Sequence, residues 1–394
     1  MMKIPITKTV LDEKEFTAVQ EPLKSGWVVQ GPFVKEFENK FAQFTGAEHA
    51  IATTSCTTAL HIALAALGIG PGDEVIVPAF TWIATANVAK YVGAKVVFCD
   101  IDLNTFNIDV REASKKITTK TKAIVPVHLF GLAADMDGIM ALAQKHNLFV
   151  IEDAACGFGA YYKNSHVGHI GDFGCFSFHP RKAITTGEGG MILTNNAERA
   201  ALCRSLRDHG ASKSDLARHT GKKAFLLSEF NHLGYNYRMT DIQGAIGVQQ
   251  MAKAAWIQEQ RTKRAQRYDQ LLKDVEWLVT PTVPENFMHG YQSYVCLFQP
   301  EEITSDNYRQ LHELRNELMK RLEKVGVSTR QGTHAVTALG YYRQKYGVKN
   351  KDYPKALFAD HLSLSLPLYA QMKDEEQNYV IHHLHNIYQN IQCD

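Results

Sequence analysis

An aspartate and a lysine that follow two apolar runs are the residues here whose types could do covalent chemistry together. Asp153 closes the run Phe149–Glu152, and Lys182 comes just after the run Gly174–Phe178. Open α/β sheets bind ligands beyond the carboxyl ends of their strands, so two such ends can bring a carboxylate and an amine into one cleft. A lysine amine forms Schiff bases with carbonyls, and burial or a neighbouring charge tunes its reactivity. The glycines of Thr186-Gly-Glu-Gly-Gly190 lie beside the lysine and allow close backbone approach to a ligand. Ser177 offers a hydroxyl to a phosphate. Taken singly, an Asp is ordinarily a loop cap and a Lys a solvated side chain. Together they meet the needs of pyridoxal phosphate: a lysine to hold the aldehyde, and an aspartate to keep the pyridine nitrogen protonated so that the ring can take up electrons.

Three other stretches invite comparison. Thr53-Thr-Ser-Cys-Thr-Thr58 runs into a helical segment, Thr57–Leu67. A helix start can hold phosphate through its free N–H groups, or the same residues can simply cap the helix. The stretch lacks the lysine and glycine spacing of a P-loop. Trp82, just past the run Glu74–Pro78, could stack on a planar ring or pack in the core. Gly157-Phe-Gly159-Ala-Tyr-Tyr162 lacks the third glycine and the distal acid of a dinucleotide fingerprint, which argues against a nicotinamide site.

These residues need a scaffold, and the sequence reads as one. Between residues 48 and 195, apolar runs at Ala50–Thr53, Glu74–Pro78, Lys95–Cys99, Ala123–Val127, Phe149–Glu152, Gly174–Phe178 and Gly190–Thr194 alternate with helical stretches such as Thr57–Leu67 and Met136–His146. Near-continuous apolar strands separated by helices predict an α/β layer with a mostly parallel sheet. After about residue 250 the texture changes. A long amphipathic helix is expected over Lys253–Lys273, then a proline-punctuated segment, Pro281–Pro284. Tyr308–Val325 is a further helix, with Leu311, Leu314, Leu318 and Leu322 on one stripe and Gly326 as the stop. The expectation is a large α/β domain over 1–250 and a smaller α+β domain over 251–394, with the N-terminal arm against the small domain.

Composition narrows the class. The 394 residues carry 43 Lys and Arg against 41 Asp and Glu, a net charge of +2, which disfavours a dedicated nucleic-acid or polybasic membrane binder. Seven cysteines lie scattered without a CxxC pair, so neither a disulfide framework nor a zinc site is expected, and no other metal is called for. The start MMKIPITKTV has no apolar leader, and the apolar stretch Ala59–Ile69 contains His61 and is too short to span a bilayer. A cytoplasmic enzyme is the expectation.

The ordered motifs carry a resemblance. Gly26-Trp-Val-Val-Gln-Gly31, Thr57-Thr-Ala-Leu-His61, Pro78-Ala-Phe-Thr-Trp82, Pro126-Val-His-Leu-Phe-Gly131, Glu152-Asp-Ala-Ala155, Phe176-Ser-Phe-His-Pro-Arg-Lys182, Thr186-Gly-Glu-Gly-Gly190 and Gly234-Tyr-Asn-Tyr-Arg-Met-Thr240 span nearly the whole chain. In this set the chain resembles the DegT/StrS sugar aminotransferases, fold type I pyridoxal-phosphate enzymes. The resemblance implies that Lys182 binds the coenzyme aldehyde and later shuttles the proton. It implies that Asp153 pairs with the ring nitrogen, that Trp82 stacks on the ring, and that Ser177, Cys56 and Thr57 hold the phosphate. Asn236 would reach the coenzyme phosphate of a second subunit, which makes the enzyme a homodimer with shared sites. Glu188 and His334 would lie near the sugar. Two positions depart from the family pattern: Cys56 stands where many relatives have Gly, and Cys156, beside the coenzyme's phenolic oxygen, where many have Gln or Glu. Retention of Lys182 favours transamination over the dehydratase chemistry of relatives that carry His there.

The implied reaction is a ping-pong transfer in which L-glutamate leaves its amine and departs as 2-oxoglutarate, and the amine then passes to a keto or aldehydo sugar. Most such relatives aminate nucleotide-linked 4-keto-6-deoxy sugars. The segments Leu206–Arg218 and Ser328–Val336 are similar to a branch that includes the aminotransferase making 8-amino-3,8-dideoxy-octulosonate for lipopolysaccharide, and an acidic sugar would suit Arg330 and Arg181. A sugar dehydratase and a non-catalytic coenzyme-binding regulator are the remaining alternatives.

Overall fold

The computed structural model describes residues 2–213, 216, 226–348 and 352–393. Seven strands form its central sheet: β1 His49–Thr53, β2 Glu74–Pro78, β3 Lys95–Cys99, β4 Thr121–Ile124, β5 Phe149–Asp153, β6 Phe173–Ser177 and β7 Gly190–Thr194. Their spatial order is β1-β7-β6-β5-β4-β2-β3. All neighbours are parallel except β7, which runs antiparallel to both β1 and β6. Side chains alternate along each strand and feed two cores, one on each face. In β5, Val150 enters one core and Ile151 the other.

Helices cover both faces: α1 Pro32–Thr45, α2 Cys56–Ala66, α3 Ala84–Tyr91, α4 Met136–His146 and α5 Asp241–Leu272. Helix α5 begins well before the expected Lys253, and the expected domain boundary after residue 250 falls inside it. The added turns contain Gly244 and Gly247, which weaken helix propensity. Here they allow contact: a Cβ at Gly244 would lie 2.6 Å from the Val34 amide nitrogen, and one at Gly247 2.7 Å from the Phe37 ring. Asp241 reinforces the join by accepting from the amides of Gly31, Phe33 and Val34 at 2.9, 3.2 and 2.9 Å.

The C-terminal part has a three-stranded antiparallel sheet of β8 Leu278–Val279, β9 Tyr294–Phe298 and β10 Ser363–Leu366. Around it pack α6 Tyr308–Lys324, α7 Pro354–Leu362 and α8 Asp374–Cys393. The leucine stripe of α6 is buried at Leu311, Leu318 and Leu322, and Gly326 takes a φ of 83° after the helix ends. The N-terminal arm adds to this part: Ile4 exchanges backbone hydrogen bonds with Gly326 and Ser328, and Ile6 accepts from Leu368 at 3.1 Å. Among the described residues no helix is long and apolar enough to cross a membrane.

Candidate active site

The strand ends converge. β5 delivers Asp153, β6 delivers Ser177, β1 leads into the turn before α2, and β2 leads to Trp82. These residues line one cavity of about 470 Å³, together with Cys56, Thr57, Cys156, Lys182, Glu188, Arg181 and Arg330. Its other wall comes from the arm (Ile6, Thr7) and from the C-terminal part (Gln331, Ser365, Leu368).

Asp153 is buried. Its carboxylate accepts from Thr85 Oγ1 at 2.7 Å and from the Ala155 amide at 3.1 Å, and the Thr85 hydroxyl also meets Thr81 Oγ1 at 3.0 Å. Burial raises the Asp153 pKa, and the Thr85 and Ala155 donors and the Lys182 charge only partly offset this. A cation placed before the carboxylate would therefore be held strongly. Lys182 Nζ donates to Cys156 Sγ at 3.2 Å. Burial opposes its charge, but Cys156, Cys56 and Asp153 favour it, and the net shift is upward. Cys56 donates its S–H to the Cys175 carbonyl at 3.3 Å, and burial pushes its thiol well up.

The turn before α2 is both cap and cradle. Ser55, not Thr57, caps the helix: its hydroxyl accepts from the Thr58 amide at 3.2 Å, and Thr58 Oγ1 accepts from the Ser55 amide at 3.0 Å. The amides of Cys56 and Thr57 belong to the first turn, where no intrahelical acceptor exists. Gly190 packs directly beneath, since a Cβ there would lie 2.3 Å from the Ser55 carbonyl. Trp82 is 62% exposed, so core packing does not explain it. His334 follows the cavity wall rather than lining it; its ring lies 6.0 Å from that of Trp82, and its backbone pairs with Thr81. Glu188 Oε1 stands 3.9 Å from His179 Nε2. Asn236 is exposed and lies outside this chain's own cavity.

Residues outside the expected set also build the site. Glu152, one residue before Asp153, is fully buried. It accepts from His128 Nε2 at 2.8 Å and from the amides of Gly168, Ile170 and Gly171 at 2.7, 2.8 and 2.8 Å. The Ala134 amide donates to His128 Nδ1, so the ring proton sits on Nε2. This network anchors the carboxyl end of β5. Buried Arg261 donates to the carbonyls of Tyr291 and Gln292, and the Gln292 side chain donates to the Arg181 carbonyl at 3.1 Å. Asp360 of α7 accepts from Gln331 Nε2 and the Ala335 amide, both at 2.9 Å. Glu152 and His128 lie inside recognisable motifs. Thr85, Arg261 and Asp360 have no local signal, because their partners are remote in sequence.

The site fits pyridoxal phosphate on three counts: a buried carboxylate for a ring cation, an amine within the same cavity, and a glycine-tight helix start for a phosphate. Sheet and site together define a fold type I pyridoxal-phosphate-dependent enzyme. The chain belongs to the DegT/DnrJ/EryC1/StrS aminotransferase family, whose model matches residues 9–385. It is 39% identical over 384 residues to the spore coat polysaccharide biosynthesis protein SpsC of Bacillus subtilis, covering 98% of this chain and 97% of that one. The pyridoxamine-phosphate form of the putative sugar aminotransferase Spr1654 from Streptococcus pneumoniae superposes with a TM-score of 0.90 at 28% identity, over 100% of this chain and 99% of that one. The PseC aminotransferase of Helicobacter pylori, involved in pseudoaminic acid biosynthesis, superposes with a TM-score of 0.88 at 27% identity, over 99% and 100%. The protein is a pyridoxal-phosphate-dependent sugar aminotransferase, which sets aside the dehydratase and regulator alternatives.

Proposed function

We propose that the enzyme moves the amino group of L-glutamate to a carbonyl of an acidic deoxy sugar for surface polysaccharide or lipopolysaccharide synthesis. The preferred acceptor is the C8 aldehyde of a 3-deoxy-octulosonate, and the product is 8-amino-3,8-dideoxy-octulosonate. One observation carries the acidic preference. Arg181 and Arg330 line the cavity together, and among the described residues neither has a carboxylate within ion-pair distance. Burial and the charge of Arg181 both lower the Arg330 pKa, which reflects two like charges facing one space. A carboxylate from donor or acceptor would relieve that repulsion and form charge-assisted hydrogen bonds. The spore coat polysaccharide role named for the Bacillus relative supports a surface-polysaccharide product. Of the two segments similar to the octulosonate branch, Leu206–Arg218 lies partly outside the described residues; Ser328–Val336 includes Arg330 and the cavity wall.

Bound pyridoxal phosphate would supply an aldehyde for the incoming amine and a ring that takes up electrons. The chain's residues do the rest. Asp153 holds the ring nitrogen's proton, and Thr85 and Ala155 hold Asp153. Lys182 Nζ moves the proton from the donor carbon and back to the acceptor carbon. Trp82 would stack on the ring, Cys156 would lie beside its phenolic oxygen, and Thr57, Ser177 and the Cys56 amide would hold the phosphate. Glu188 and His334 flank the sugar. Asn236 completes the phosphate site of a second subunit in a cytoplasmic homodimer. The part built on the central sheet carries the coenzyme, and the C-terminal part with the N-terminal arm closes the sugar side.

The test compares acceptors. Enzyme supplied with glutamate should aminate the octulosonate aldehyde, and Arg330→Ala should lose about 100-fold in kcat/KM on it, as expected for removing a charged hydrogen bond. Turnover of a nucleotide-linked 4-keto-6-deoxy sugar with none on the octulosonate would favour the alternative acceptor and overturn this choice.

A further inference from the structure

Cys156 and Lys182 offer a chemistry that amino transfer does not use. Their Sγ and Nζ atoms are in direct contact at 3.2 Å. Cys156 is partly exposed in the cavity, whereas Cys56, Cys99, Cys175, Cys203 and Cys296 are buried. A small oxidant entering the cavity would therefore meet this thiol first. The amide after it, Gly157 N–H, is engaged with the Ala154 carbonyl at 2.8 Å, whereas Lys182 Nζ is in direct contact with the sulfur.

We propose that Cys156 and Lys182 form a reversible sulfur–nitrogen cross-link when peroxide reaches the site while the coenzyme is in its amine form. The inference rests on Lys182 being the coenzyme-binding lysine. With the aldehyde form bound, that nitrogen is committed to the coenzyme; with the amine form, it is free beside the thiol. In the first step Cys156 Sγ attacks peroxide, the O–O bond breaks, sulfur loses two electrons, and sulfenic acid and water form. In the second step the Lys182 ammonium first gives one proton to solvent; the Nζ lone pair so exposed attacks Sγ, the S–O bond breaks, and the oxygen leaves as water with a further proton from the amine. The sum is one thiol, one amine and one peroxide giving one S–N bond and two waters. A small thiol reverses it by attacking sulfur and releasing the amine, and a second thiol resolves the mixed disulfide. Proximity favours this route over bimolecular capture.

The experiment loads the enzyme directly with pyridoxal phosphate or with pyridoxamine phosphate, so no amino donor is assumed. Each form is treated with hydrogen peroxide, digested with trypsin and mapped by mass. The pyridoxamine form should lose two hydrogens, join the peptides of Cys156 and Lys182, and resist cleavage after Lys182. Dithiothreitol should reverse all three changes, and the pyridoxal form should be protected. Cys156→Ser should abolish the cross-link while borohydride still fixes pyridoxal phosphate to Lys182. Three results overturn the inference: a disulfide between Cys156 and Cys56, oxygen adducts on Cys156 with Lys182 free, or equal cross-linking of both forms. Failure of borohydride to fix the coenzyme on Lys182 in the unmodified enzyme overturns the site assignment instead.

Discussion

Lys182 and Asp153 divide the chemistry between a mobile proton and a fixed charge, and each answers to a different substitution. Lys182→Ala should end coenzyme fixation by borohydride and lower turnover with glutamate by roughly 100-fold to 10,000-fold, the range for a lost general acid/base; a stopped-flow assay of the half-reaction checks it. Thr85→Val should be subtler. It removes the 2.7 Å hydrogen bond to Asp153 and leaves the carboxylate with the Ala155 amide. A lost hydrogen bond to a charged group is worth about 1.5–3 kcal/mol, so coenzyme affinity should fall by roughly 10-fold to 100-fold, read from quenching of protein fluorescence. An unchanged affinity would mean that Asp153 does not depend on Thr85.

At the scale of the elements, the Glu152–His128 pair decides where β5 ends in space. Burial alone would raise the Glu152 pKa, yet the hydrogen bonds from His128 and from the amides of Gly171 and Gly168 bring it below its ordinary 4.5. The sign follows. A carboxylate lowered in the folded state contributes stability above its unfolded pKa and loses it as pH falls through the folded value. Glu152→Gln should therefore destabilise the fold by about 3–5 kcal/mol near neutrality, and the gap to wild type should narrow below about pH 4.5. Urea titrations at pH 7 and pH 4 measure both. The end of β6 depends on packing instead. Phe178 is buried with ring centroids 4.9 Å from Phe37 and 5.3 Å from Phe41. Phe178→Ala should cost about 3–5 kcal/mol and loosen the turn that carries Lys182, seen as a lower Tm and weaker coenzyme retention together.

The whole molecule has an unfinished face. Leu227, Phe230 and Leu233 are 85%, 62% and 90% exposed, close in sequence to Asn236, which does not reach this chain's own cavity. Exposed apolar side chains of this size fit an interaction surface. If that surface joins two copies, Leu227→Asp with Leu233→Asp should shift sedimentation to the monomer and weaken coenzyme binding by more than about 10-fold, or about 1.4 kcal/mol. Mixing Lys182→Ala and Asn236→Ala subunits should restore one intact site per hybrid dimer; a strictly additive loss in the mixture would count against shared sites.

Much of this was legible along the chain. The strands Glu74–Pro78, Lys95–Cys99 and Gly190–Thr194 and the helix Met136–His146 appear where the runs of apolar residues and their periodicity put them, because burial on both faces of a sheet, or along one face of a helix, writes itself into neighbouring positions. The family motifs around Asp153 and Lys182 were legible for the same reason: each is a short contiguous string. Other features have no local trace. The reversed direction of β7, the early start of α5 against Phe37, the hold of Thr85 on Asp153, and the meeting of Arg181 with Arg330 all join residues far apart in the chain. Such contacts exist only once the sheet has ordered its strands and brought their carboxyl ends to one edge, since spacing along a chain cannot state a distance across it.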